Sequence, residues 1–189
     1  MPCGGGGPER VSEALSFPGP PAQSVSRWRT MWLMLATVTA PVLIADQASK
    51  LYVASHLQLY RSIPIVPHLF DLTYTLNPGA AFSLFVSLPP EVRSGLLFTI
   101  TAIAIVVLIV LLGQARELSW GSVGFALILG GALGNLIDRV VRGRVIDFIR
   151  LHYYGWSYPV FNLADSAITI GVAILLFEAL GTARHTQAD

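Results

Sequence analysis

The chain has 189 residues, 53% of them hydrophobic and 12% charged, with a mean hydropathy of +0.62 and a formal net charge of +1. Soluble domains carry about 25% charged residues, so this composition excludes an ordinary soluble protein and leaves a polytopic membrane protein with room for about four spans and one domain. No basic stripe with interleaved aromatics is present, which argues against nucleic acid as a partner.

Residues 1–30 are rich in Gly, Pro and Ser without sustained periodicity and read as a disordered cytoplasmic tail. The single cysteine, Cys3, lies in it; alone it forms neither an intramolecular disulfide nor a structural metal site. The tail is not expected to be a cleavable signal peptide, because Arg27 and Arg29 directly precede an apolar run that continues into polar residues. That run, 31–53, is the first expected span, with Pro41 as a kink and with Asp46 and Lys50 in its far half. Four apart on a helix, these two share a face and can neutralise one another, which places them inside the bundle.

Residues 54–93 are more polar. Alternation in 61–65 and 70–74 predicts short strands, read as a small β element lying on the membrane. The segment Asn77-Pro78-Gly79-Ala80-Ala81-Phe82 offers an amide beside a turn; taken alone it is a turn before an apolar segment. The second span, 94–113, is uncharged and reads as scaffold. After a turn at Arg116 and Glu117 comes a third span, 119–137, in which Gly130, Gly131, Ala132 and Gly134 permit close helix packing. It closes on Asn135, Asp138 and Arg139. Asp138 and Arg139 point in different directions on a helix, so each needs a partner elsewhere. Either the group is a polar helix end at the interface, or Arg139 holds a substrate carbonyl or orients a carboxylate. The fourth span is 161–180, followed by a short cytoplasmic tail from 182 to 189. Four spans put both termini on one side, and Arg27 and Arg29 before the first helix make that side cytoplasmic. The arginines at 139, 142, 144 and 150 fall in the opposite loop, against that charge rule.

Two further aspartates stand beside the apolar runs. Asp147 follows Val145-Ile146, and Asp165 follows Asn162 at the start of the fourth span. A carboxylate at mid-membrane costs about 2.5–3.5 kcal/mol, so such residues are usually functional. Two carboxylates brought close cannot both ionise easily, and one keeps its proton, which provides an acid and a base in one site. Alone, Asp165 reads as a helix cap, and Asp138 is a competing partner for it. The four histidines are scattered, and neither a Gly-x-Ser-x-Gly elbow nor a nucleotide-binding glycine loop is present; no metal and no cofactor is expected. A small proton-coupled transporter using Asp46, Lys50, Asp138 and Asp165 is the alternative function, although no internal repeat supports it.

The ordered set Asp46-Gln47-Ala48-Ser49-Lys50, Asn77-Pro78-Gly79-Ala80-Ala81-Phe82, 130–139, 145–149 and Phe161-Asn162-Leu163-Ala164-Asp165-Ser166 resembles bacterial lipoprotein signal peptidase, or signal peptidase II, over roughly residues 31 to 181. The resemblance implies an all-α membrane protein of four transmembrane helices, with a small β cradle and a short mobile helix in the first extracytoplasmic loop, forming one peptidase domain over 31–181. It implies a monomeric aspartic endopeptidase of the bacterial cytoplasmic membrane that cuts diacylglyceryl-modified prolipoproteins before the lipidated cysteine, near the outer face. The catalytic pair corresponds to Asp147 and Asp165. Asp46, Lys50, Asn77, Gly79, Asn135, Asp138, Arg139, Asn162 and Ala164 match positions that bind substrate or support the site. Arg142 and Arg144 lie outside the matching motifs and are read as contacts to anionic lipid headgroups.

Overall fold

The computed structural model describes the backbone of residues 22–79 and 88–186, with side chains over 27–79 and 88–181. Among these residues, Arg27–His56, Pro90–Gln114, Trp120–Arg142 and Leu163–Gly181 are long and apolar enough to cross a membrane, and a four-stranded antiparallel sheet caps one end. The expected architecture of four spans and a small sheet is therefore the observed one. The short helix expected in the first loop lies outside the described residues, as do Ala80, Ala81 and Phe82.

The first span begins earlier than residue 31. Helix α1 (Ala22–Met34) passes through a π-helical segment (Leu35–Thr39) into α2 (Ala40–His56). Pro41 accounts for the widened turn: it lacks an N–H, and its ring would strike the carbonyl four residues back in a regular helix. The bulge turns the Thr39 hydroxyl toward the third span, where it donates to the Ala126 carbonyl at 3.0 Å.

Helix α3 (Pro90–Gln114) is the peripheral helix, with Ile100, Ile103, Val106, Val107 and Val110 exposed to the surroundings. Helix α4 (Trp120–Arg142) is the central one, packed against α1, α2, α3 and α5 (Leu163–Thr186). Ser119 and Ser122 form a reciprocal capping box at its start, and Gly143, at φ 71°, ends it in the left-handed conformation. The helix thus runs past the expected end at 137. Its glycines allow the close packing that their spacing predicted. A Cβ on Gly130 would lie 3.0 Å from the Thr39 carbonyl and Val42, and one on Gly131 would overlap the Ala164 carbonyl oxygen.

Strands β1 (Ser62–Val66) and β2 (Phe70–Asn77) fall where alternation placed them. Strand β3 (Val145–Tyr153) was not anticipated: the residues around Asp147 form the sheet's third strand, completed by β4 (Trp156–Ser157). The side chains of β3 alternate. Ile146 and Phe148 pack with Val53, Leu72, Tyr74 and Leu76, which ties the sheet to α2. Asp147 faces the other way, paired in register with Thr75 and next to Asn77, which pairs with Val145. Trp28, Trp32 and Trp120 are exposed at the end remote from the sheet, and Tyr60, Tyr153, Tyr154, Trp156 and Tyr158 are exposed at the sheet end. Exposed aromatic rings toward both ends of the spans are what the two interfaces of a bilayer favour.

Candidate active site

The site grows from a set of fully buried charges between α2 and α4. Lys50 Nζ lies 2.8 Å from Asp46 Oδ2 and 2.9 Å from Asp138 Oδ2, and it donates to Asn135 Oδ1 at 3.0 Å. Arg142 reaches Asp138 Oδ1 at 2.6 Å, and the Ile146 backbone N–H donates to Asp138 Oδ2 at 3.2 Å. Two aspartates are thus balanced by one lysine and one arginine. Removing one partner of such a buried set typically costs about 3–5 kcal/mol, because the remaining charge is left uncompensated. The ion pair read from the i, i+4 spacing of Asp46 and Lys50 exists, and it extends one helix further. Asp46 also accepts a hydrogen bond from the Ala164 N–H at 2.9 Å, so α2 caps the first turn of α5. Ala164 is buried against Gly131 and Gly134, where a larger residue has no room.

The same turn carries Asp165. Asn162 is the N-cap: its Oδ1 accepts from the Asp165 N–H at 2.9 Å, and Asp165 Oδ2 accepts from the Asn162 N–H at 3.4 Å. Asp165 is therefore the third helical residue of a capping pair and not the cap itself. Its Oδ1 is left for another partner and accepts from Asn135 Nδ2 at 2.8 Å. Asn162 also reaches across to β3, where its Nδ2 donates to Asp147 Oδ1 at 2.7 Å and to the Ile146 carbonyl at 3.2 Å. Asp147 Oδ2 accepts from Asn77 Nδ2 at 2.9 Å. Asn77 Oδ1 accepts in turn from the Gly79 N–H at 2.8 Å, in a turn for which Gly79 adopts φ 91°. Arg139 donates to the Asn135 carbonyl at 3.3 Å and lies in the field of Asp165, Asp147 and Asp138.

Asp147 and Asp165 are thus joined through Asn162, which contacts both. Asp147 is 2% exposed, and burial first, then the Asp165 charge, push its pKa up to about 7 against the donors Asn77 and Asn162 and the Lys50 charge. The competing candidate Asp138 commits its oxygens to Lys50, Arg142 and the Ile146 N–H, and among the described residues its hydrogen bonds do not reach Asp165.

Three contributors were not anticipated. Gln47, inside a quoted motif, donates to Asp46 Oδ2 at 3.2 Å and to the Gly134 carbonyl at 3.1 Å. Arg142, read as a headgroup contact, turns inward to Asp138; their i, i+4 spacing was the available signal. Thr75 donates to the Asp147 carbonyl at 3.1 Å and fixes the strand that carries the carboxylate.

The chain is similar in sequence and in fold to known proteins. The family model described as Signal peptidase (SPase) II matches residues 38–181. A lipoprotein signal peptidase of Photorhabdus laumondii is 41% identical over 148 residues, covering 78% of this chain and 86% of that protein. One from Pseudomonas fluorescens is 42% identical over 163 residues, covering 85% and 93%. A solved bacterial membrane enzyme superposes with a TM-score of 0.70 at 32% identity, covering 82% of this chain and 90% of that one. With most of its length matched in sequence and in fold, the chain belongs to the signal peptidase II family.

Proposed function

We propose that this protein is an aspartic endopeptidase that removes signal peptides from prolipoproteins by cutting before the diacylglyceryl-modified cysteine. The observation that carries the proposal is the pair of carboxylates, buried Asp147 and half-buried Asp165, both tied to Asn162 at the head of a membrane-length helix: its side-chain NH2 donates to Asp147 Oδ1 and its backbone N–H to Asp165 Oδ2. Asp147, with its raised pKa, carries the proton and donates it to the scissile carbonyl oxygen. Asp165 takes a proton from a water whose oxygen bonds to the carbonyl carbon. The tetrahedral intermediate collapses by breaking the C–N bond, and a proton passes from the dyad to the departing cysteine nitrogen. Arg139 steadies the peptide carbonyls. The sheet end of the molecule, and with it the site, faces the extracytoplasmic side, with both termini cytoplasmic. A lipid-anchored substrate reaches this site by diffusing within the leaflet.

The purified protein in phospholipid vesicles, given a diacylglyceryl-modified precursor peptide, should release the signal peptide at the bond before the lipidated cysteine. It should do so equally with and without a chelator. A transporter gives no cleavage and moves protons across the vesicle wall, and a metalloprotease stops in chelator.

The pH dependence follows from Asp147. A carboxyl with a pKa of about 7 keeps its proton through the acid range and loses it as pH rises, so kcat/KM should fall above about pH 7 with a single-proton slope. Asn77→Ala removes a donor that favours the ionised form and should move that limb to higher pH. A profile flat from pH 6 to about 9 would contradict the assignment of the proton to Asp147.

A further inference from the structure

We propose, on the dyad reading above, that Lys50 is a positioning residue: by donating to Asn135 it keeps the polarity of that amide fixed even when Asp165 has taken up a proton, so that Asp165 always meets an N–H and never a carbonyl. An ammonium has three N–H groups and no acceptor. Here all three are matched, to Asp46 at 2.8 Å, Asp138 at 2.9 Å and Asn135 Oδ1 at 3.0 Å, with Lys50, Asp46 and Asp138 fully buried. Reversing the Asn135 amide would set its NH2 against the ammonium and its carbonyl against the Asp165 carboxylate. Both contacts repel. The forced orientation directs Nδ2 to Asp165 Oδ1 at 2.8 Å and leaves Oδ1 to accept a second bond, from Asn162 Nδ2 at 3.2 Å.

The two amides differ in how they are held. Asn162 is fixed from several directions, by Asp147 Oδ1, the Ile146 carbonyl and the Asp165 N–H. The Asn135 side chain has Lys50, Asn162 and Asp165 as its partners. Ionised Asp165 also demands the Asn135 NH2, but it can itself donate once it takes a proton from water, whereas Lys50 remains a donor throughout and touches neither carboxylate of the dyad through these bonds. Beside the direct field of its charge on both carboxylates, its hydrogen-bonded route to Asp165 runs through Asn135.

A double-mutant cycle on cleavage of a diacylglyceryl-modified precursor peptide tests this. Lys50→Met should lower kcat about 10- to 100-fold with KM within about twofold, because ground-state binding is untouched. In an Asn135→Ala background the same substitution should keep less than half of that loss on a logarithmic scale, the remainder being the direct field of the ammonium on the two carboxylates. If Lys50→Met does not fold, the charge-balanced pair Lys50→Met with Asp138→Asn takes its place in the same cycle, referenced to Asp138→Asn alone. A loss at least half retained in the Asn135→Ala background, or a loss in KM in place of kcat, overturns the positioning role and leaves Lys50 a structural ion. A wild-type protein that does not cleave overturns the peptidase reading and this proposal with it.

Discussion

Asp147→Asn and Asp165→Asn should each lower cleavage of a lipidated precursor by at least about 10³-fold, because the acid and the base act on one water and neither can cover for the other. The substitutions are isosteric, so the loss should come without unfolding. At 147 two effects oppose. A buried carboxyl that ionises near neutral pH gives way to a group that never does, and an amide NH2 is set against the Asn77 or Asn162 donor, a mismatch worth about 1–3 kcal/mol. Asn77 cannot turn to relieve it, since its side-chain oxygen Oδ1 is held by the Gly79 N–H. At 165 the new amide keeps the capping geometry with Asn162 only if its oxygen takes the Oδ2 position, which sets its NH2 against Asn135. Thermal unfolding in detergent alongside the cleavage rate separates lost chemistry from lost structure. Retained cleavage by either variant removes that residue from the dyad.

The second large effect is expected at a contact between two uncharged residues. Gly131→Ala places a methyl group on the Ala164 carbonyl oxygen and 2.8 Å from Ile168 Cγ1. The first obstacle is backbone and cannot rotate away, so α4 and α5 must separate. Overpacking of this kind costs about 1–3 kcal/mol. The displaced turn is the one that Asp46 caps and that carries Asp165, and a shift of about 1 Å in a reacting group can cost about 10²-fold in rate. Gly181→Ala, on the same α5 helix but with no described atom within 4 Å of the new Cβ, is the control and should leave both properties unchanged. Wild-type cleavage and unfolding temperature in Gly131→Ala would show that the helices tolerate a wider spacing.

The four spans were legible because uninterrupted apolar runs have few other solutions, and β1 and β2 because their residues alternate. Strand β3 was missed for a physical reason. Asp147 and Arg150 interrupt its apolar character, and Gly143 and the arginines before it look like a loop, although Ile146 and Phe148 alternate with Asp147 as a half-buried strand requires. Pro41 announced a disturbed helix but not its form, since a kink and a π bulge relieve the same clash. In the candidate site, the polar islands could be found by their unlikely placement among apolar neighbours. Their wiring could not. Asp46 caps a turn 118 positions away, Asn77 meets Asp147 across 70, and Asn135 meets Asp165 across 30. Which nitrogen faces which oxygen is decided by packing between elements that the sequence lists far apart. Arg142 is the instructive case, for it belongs to no motif and yet completes the charge balance around Asp138.

The central claim is that Asp147 and Asp165 activate one water for direct attack on the peptide carbonyl. A single-turnover cleavage in water enriched in oxygen-18, with enzyme in excess over the diacylglyceryl-modified precursor, tests it most directly. One labelled oxygen in the new carboxylate of the released signal peptide, and none in either aspartate, is the predicted result. An unlabelled signal peptide with the label in Asp147 or Asp165 would mean that a carboxylate attacked the substrate itself, and would contradict the account.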